Sequence, residues 1–153
     1  MSIRAPDTTA NVVTTGESAP LGASVQPNGV NFSVYSKRAT LIELLLFDDR
    51  NAAQPSRVIP LHPEKHRSYH YWHAFVAGLE PGQVYAYRAH GPCEPDKGFR
   101  FDGEKVLLDP YGIAVAVPET YDRLAAGRSG DNTATAMKSV VANPNRYDWE
   151  GDL

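Results

Sequence analysis

The amino-acid sequence predicts an all-β domain, an antiparallel β-sandwich with an irregular C-terminal extension, on three observations. Twelve prolines and twelve glycines punctuate 153 residues, which cuts the chain into segments too short for long helices. Several segments alternate apolar and polar residues with the period of a half-buried strand. Turn signals separate those segments at short intervals, as they do in sandwiches.

Residues 1–18 are polar and aperiodic and are expected to form a flexible N-terminal arm. PNG at 27–29 marks a turn. In the following GVNFSVYS, Val30, Phe32 and Val34 alternate with Asn31, Ser33 and Tyr35, which predicts a strand with one buried face. TLIELLLFD at 40–48 is apolar on both faces, and its shortness and its charged stop favour a central strand over a helix. SRVIPL at 56–61 reads as an edge strand, because Pro60 has no N–H to give to a ladder. YHYWHAFVAGL is the next strand. EPGQ at 80–83 has the chemistry of a type II turn, with Pro81 setting φ and Gly82 free to take a positive one. VYAYRAHG at 84–91 is then expected to return as the hairpin partner of YHYWHAFVAGL, with Tyr85 and Tyr87 on one face. Beyond Gly91 the alternation fades. A short helical turn is expected around Glu104 to Leu108, residues 122–139 read as loop, and no final strand is evident. This divides the chain into an arm (1–18), a sandwich with its exit strap (19–118) and a loop and linker (119–153).

Composition narrows the function. Hydrophobic residues at 42% and charged residues at 22% suit a soluble domain, and a net charge of −3 offers nucleic acid or an anionic membrane no attraction. No apolar run is long enough for a membrane helix, and the first residues lack the apolar core of a signal peptide. Cys93 is alone, so an intrachain disulfide is impossible, and a reducing, cytoplasmic setting is expected.

Candidate chemistry is sparse. His62, His66, His70 and His73 fall within HPEKHRSYHYWH, which invites a metal site. Pro63 and the strand-like alternation argue instead for ordinary loop and strand histidines, and no cofactor is expected. Asp102, Glu104 and Asp109 are close in sequence, but each also suits a turn, a surface charge or a cap before Pro110. No nucleophile elbow or phosphate-cradling loop occurs, so no catalytic residue is assigned. Tyr35, Tyr69, Tyr71, Trp72, Tyr85 and Tyr87 could offer stacking faces to sugar rings or could be core, and core is favoured for Trp72 and Tyr85.

PLGA at 20–23, GVNFSVYS, LLLFD, YWHAFVAGLEPGQVYAYRAHGP and GFRFDGEKVLLDPYG occur in that order. Together they resemble the N-terminal domain of bacterial glycogen debranching enzymes and isoamylases, of the carbohydrate-binding module 48 type. MKSVVANPNRYDWEGD resembles the link into the α-amylase-type barrel that follows in such proteins. The resemblance implies an immunoglobulin-like sandwich without catalytic residues of its own. It would be followed by its own catalytic barrel in cis, which hydrolyses α-1,6 branch links in glycogen or a related α-glucan. There are departures: Ala86 stands where glycine is usual, Cys93 where tyrosine is common, and Asp102-Gly103 where Asn-Pro is found. The turn after LLLFD also lacks the tryptophan of glycogen-binding members.

The resemblance further implies that FRFDGEKVLLDPYG is a strap along the seam with the barrel. Phe99, Phe101, Leu107, Leu108 and Tyr111 would pack in or under that seam, with Arg88, Arg100 and Asp109 as polar fixtures, an Arg–carboxylate pair among them. Without the barrel, part of this surface should be an exposed apolar patch. Tyr35, Tyr69 and Tyr71 remain the candidates for glucan contact. A free-standing glucan-binding module and an immunoglobulin-like domain that binds only protein are the rival readings.

Overall fold

In the computed structural model, the described residues are 12–91, 93–94, 99–100, 105–112, 114–119, 121–122, 124 and 132–142. They form twelve short strands: β1 (Val13–Thr14), β2 (Gly22–Gln26), β3 (Gly29–Tyr35), β4 (Leu41–Phe47), β5 (Arg57–Leu61), β6 (Arg67–Ser68), β7 (Tyr71–Ala77), β8 (Val84–His90), β9 (Cys93–Glu94), β10 (Phe99–Arg100), β11 (Ala114–Ala116) and β12 (Lys138–Val140). One sheet runs β1-β7-β3-β2, with β6 also on β7; the other runs β11-β12-β8-β4-β5. All pairings are antiparallel, and β9 and β10 form a separate small ladder. The sandwich is the expected all-β architecture.

The core lies between the sheets. Val30, Phe32 and Val34 of β3 and Trp72, Ala74 and Val76 of β7 face Ile42, Leu44 and Leu46 of β4 and Tyr85, Tyr87 and Ala89 of β8. Phe32 meets Tyr85 edge to face across the gap, with ring centres 5.0 Å apart. β4 is apolar on both sides because its outer side is buried too: Leu45 and Phe47 pack with Val84, Ala86, Val106 and Ala136 in a second cluster. Lys138, fully buried, closes that cluster with its ammonium 5.0 Å from the centre of the Phe47 ring and donating to the Thr133 and Ala136 carbonyls.

Four expectations need correcting. The arm is paired from Val13, since β1 lies on β7, and Glu17 exchanges bonds of 2.8 and 2.9 Å with the Asn31 side chain. This roof buries Asn31 and Ser33, the polar side of β3. Second, β7 and β8 are not a hairpin. EPGQ does turn as expected, with Gln83 N–H donating to the Glu80 carbonyl and Gly82 at φ +98°. The six residues 78–83, however, carry the chain from one sheet to the other, and the turn is tied to Val141 instead of to a returning neighbour. Third, Leu107 is a β-bridge partner of Tyr87, with mutual N–H to carbonyl bonds of 2.8 and 3.0 Å, so no helical turn forms there. Fourth, the C-terminal region supplies β12 between β8 and β11, and it buries Val141 in the core.

Candidate functional site

The strap is held by its polar backbone and shows its leucines. Val106 N–H donates to Asn132 Oδ1 at 2.7 Å, Leu107 bridges Tyr87, and Asp109 N–H donates to Ser139 Oγ at 3.0 Å. The Asp109 carboxylate accepts the Tyr85 hydroxyl at 2.6 Å and the Tyr111 amide at 2.9 Å. Gly112 N–H closes on the Asp109 carbonyl, so DPYG is a β-turn with Asp first, Pro second and Gly fourth, the residue order of a type I turn. Burial raises the Asp109 carboxyl above its usual value, and the bonds from Tyr85 and Tyr111 oppose that rise. The same burial and the adjoining Asp109 push the Tyr85 and Tyr87 hydroxyls far up, so both stay protonated.

Val106 and Asp109 are thus buried while Leu107, at 44% exposure, and Leu108 and Tyr111 are turned outward. A cleft opens on each side of the two leucines. One, of about 310 Å³, is walled by Val34, Tyr35, Ile42, Tyr87, Ala89 and Pro110. The other, of about 210 Å³, is walled by Val106, Tyr121, Asn132, Ala136 and Met137. Leu107 and Leu108 line both, so they form an apolar ridge between two hollows. Arg88 donates to Thr133 Oγ1 at 2.5 Å. Phe99 and Arg100 are described only as strand backbone paired with β9, and Phe101 lies outside the described residues.

The aromatic candidates separate as the sandwich requires. Trp72 and Tyr85 are core, with Trp72 Nε1 donating to the Ser36 carbonyl at 3.1 Å. Tyr35, Tyr69 and Tyr71 come together with His70 at one end of the first sheet. The Tyr69 and His70 rings lie 3.8 Å apart centre to centre, tilted by 39°. Tyr35 stands nearly perpendicular to His70 at 6.0 Å and edge-on to Tyr71 at 5.4 Å. Arg67 Nε donates to the Tyr69 carbonyl at 2.7 Å and anchors the tip. Ser68 pairs with Tyr71, so Tyr69 and His70 are the whole two-residue loop of a β6–β7 hairpin.

The histidines are engaged separately. His66 Nδ1 lies 3.2 Å from the His73 carbonyl, while His73 contacts the Thr15 carbonyl and Ser68 Oγ. Among the described residues no three His, Cys, Asp or Glu side chains converge as metal ligands. Sequence reading missed Asn132 and Ser139, which hold the strap. They are single polar residues in a loop-like stretch, and no local pattern distinguishes them.

Residues 20–112 match the family described as carbohydrate-binding module 48 (isoamylase N-terminal domain). The chain is 41% identical over 144 residues to a glycogen debranching enzyme of Serratia proteamaculans, covering 92% of this chain and 21% of that protein. It is 37% identical over 145 residues to the glycogen debranching enzyme of Yersinia enterocolitica, with the same coverage. The chain therefore spans about a fifth of the length of these relatives. Its fold resembles part of a pullulanase from Paenibacillus barengoltzii, solved with maltohexaose and α-cyclodextrin, at a TM-score of 0.59 and 20% identity over 91% of this chain and 17% of that one. The glycogen-degrading pneumococcal virulence factor SpuA matches at a TM-score of 0.58 and 17% identity, over 87% of this chain and 13% of that one. The sandwich, the ordered motifs and the match across most of its strands agree, and the chain belongs to the carbohydrate-binding module 48 family, as an isoamylase-type N-terminal domain.

Proposed function

We propose that this domain is the non-catalytic N-terminal part of a glycogen debranching enzyme that hydrolyses α-1,6 branch links in glycogen or a related α-glucan. It docks on its own α-amylase-type barrel through the strap and helps to shape one side of the substrate groove. The observation that carries the docking role is the Leu107–Leu108 ridge between two apolar-walled hollows. Beneath it the strap is fixed by Asp109, Asn132 and Tyr87, so the ridge is rigid before any partner arrives. Exposed apolar side chains on an anchored backbone suit a permanent interface better than a solvent-facing loop. The relatives' greater length leaves room for such a barrel in the parent protein.

The test is reconstitution. The segment that follows this domain in the parent is produced separately and mixed with the 153-residue chain, and association is read by sedimentation. A complex that is lost in the Leu107→Asp/Leu108→Asp variant, itself folded by circular dichroism, supports docking. No complex, or one indifferent to the double substitution, counts against it.

A further inference from the structure

We infer that His66 and His73 form an acid-labile clasp that holds the N-terminal arm and the 62–68 segment on one edge of β7. The clasp opens on mild acidification while the sandwich stays folded. This device does not rest on the docking reading.

β3 pairs with β7 along the whole of one edge. The other edge is shared: β1 covers Phe75 and Val76, β6 covers Tyr71 and Trp72, and His73 and Ala74 fall between them. His73 joins the two covers. Its N–H donates to the His66 carbonyl at 2.7 Å, and its own carbonyl faces His66 Nδ1 at 3.2 Å. Its ring Nδ1 lies 2.5 Å from the Thr15 carbonyl of the arm, and its Nε2 lies 2.8 Å from Ser68 Oγ. A carbonyl can only accept, so His73 Nδ1 carries a proton. The Ser68 hydroxyl can donate or accept, so that contact suits either protonation form of the ring. The rest of the arm is thinly held. β1 has two residues, Ala77 N–H donates to the Val12 carbonyl, Glu17 meets the Asn31 side chain, and Ser33 Oγ donates to the Ser18 carbonyl.

Charge is poorly tolerated at His66, which is buried behind this junction. The charged groups that face it are His62 and Lys65 of its own segment and His73 of β7, each a cation when charged, while Glu64 of the same segment is exposed. Burial holds the His66 imidazole below its ordinary 6.5; the bond to the His73 carbonyl opposes that fall, and the three neighbours add to it. An opened segment takes up a proton near 6.5, whereas the closed one resists it. Well above 6.5 the ring is neutral in both forms and the clasp is at full strength. As pH falls below that value, proton uptake by the open form draws the segment away, until the lowered folded value is reached. His73, Asn31 and Ser33 alternate with the core residues Trp72, Ala74, Phe32 and Val34, so they lie on the face of the sheet turned away from the core. Opening therefore uncovers Asn31, Ser33 and one edge of β7 and leaves the core filled.

The experiment measures amide hydrogen exchange of the 153-residue chain at about pH 7.5 and about pH 5.5, corrected for the intrinsic effect of pH, and titrates the His66 ring by NMR. Glu17 and Ala77 report on the arm, and Tyr87 and Val141 report on the second sheet. Two variants accompany it. His66→Asn keeps a side-chain donor and cannot take a charge, and His73→Ala removes the ring that joins arm and segment. The expected result is a loss of protection of about tenfold or more at Glu17 and Ala77 on acidification, with Tyr87 and Val141 unchanged. His66→Asn should abolish most of that pH dependence, and His73→Ala should leave the arm unprotected at both pH values. The His66 ring should titrate below 6.5. An arm whose protection ignores pH, an equal loss at Tyr87 and Val141, or a fully protected arm in His73→Ala overturns the inference. So does a pH dependence that survives unchanged in His66→Asn. Where His66→Asn loosens the arm at both pH values, the ring titration decides: a midpoint below 6.5 supports the clasp, and one at or above 6.5 overturns it.

Discussion

The Tyr85 hydroxyl donates to Asp109 Oδ2 at 2.6 Å, joining the middle of the core to the strap that leaves it. Tyr85 lies on β8 with its ring packed on Phe32, and Asp109 begins the turn that ends the ridge. A carboxylate that also accepts the Tyr111 amide fixes both the height and the direction of Leu107 and Leu108. The strap's position therefore depends on a core residue that no solvent reaches.

Tyr85→Phe should loosen the strap without collapsing the sandwich. The ring and its packing remain, and the buried carboxylate loses its hydroxyl donor. Leaving a buried charged acceptor short of a partner costs about 1–3 kcal/mol. At about 2–4 °C per kcal/mol for a chain of this size, the melting temperature should fall by roughly 2–12 °C. Amide exchange at Leu107 and Tyr111 should quicken more than at Val30 or Ala74. A uniform change across all four amides would show that the bond does not act locally.

Asp109 should give stability a specific pH slope. Burial raises its folded carboxyl above the ordinary 3.8, so the folded state holds the proton more firmly than the unfolded state does. Its contribution is therefore fully present below 3.8 and is lost as pH rises through the raised folded value. Relative to Asp109→Asn, the unaltered protein should lose stability over that rise. Urea midpoints of both proteins, taken from below pH 3.8 to neutrality, test the sign, and a relative gain over the rise would contradict it.

Strands were legible where one face was visibly apolar, as in Val30, Phe32 and Val34, and where turn chemistry was strong, as at Pro81-Gly82. The partner of a strand was less legible. The turn at 80–83 has the same residues whether the chain folds back beside itself or crosses to the facing sheet. β4 and β8 hold little alternation because Val106 and Ala136 roof their outer side, and those residues come from segments without strand character. β12 escaped notice because its buried lysine looks like a surface residue until the Thr133 and Ala136 carbonyls are seen to receive it. Of the candidate site, the strap and the three tyrosines were readable as residue types. Their meeting at Tyr35, which both lines the larger cleft and stands over His70, depends on long-range register and could not be read locally.

The second cluster makes Leu45 as expensive to truncate as Leu44. Leu44 is buried between the sheets and Leu45 under the roof of residues 106 and 136, and both are fully enclosed. Each leucine-to-alanine change should cost about 2–5 kcal/mol. Chemical denaturation of the two variants decides whether the roof is integral. A cost for Leu45→Ala well below that for Leu44→Ala would mean that the outer segment yields easily.

Two glycines should differ sharply, although the one at positive φ is the milder. Gly82 sits at φ +98° with open space where a side chain would go, so Gly82→Ala meets only backbone strain, on the order of 1–2 kcal/mol. Gly29 opens β3 opposite Ala77, and a methyl group there would run into the Val76 carbonyl oxygen, the Ala77 backbone and the tip of the Phe75 ring. Backbone cannot step aside as a side chain can, so Gly29→Ala must push β3 away from β7 along the ladder that carries the core. That displacement should exceed the Gly82 cost and should reach Val30 and Val76, which pair next along the register. Urea denaturation ranks the two variants, and amide exchange at Val30 and Val76 locates the damage. A Gly29→Ala protein as stable as Gly82→Ala would show that the two sheet strands can separate at that end without loss.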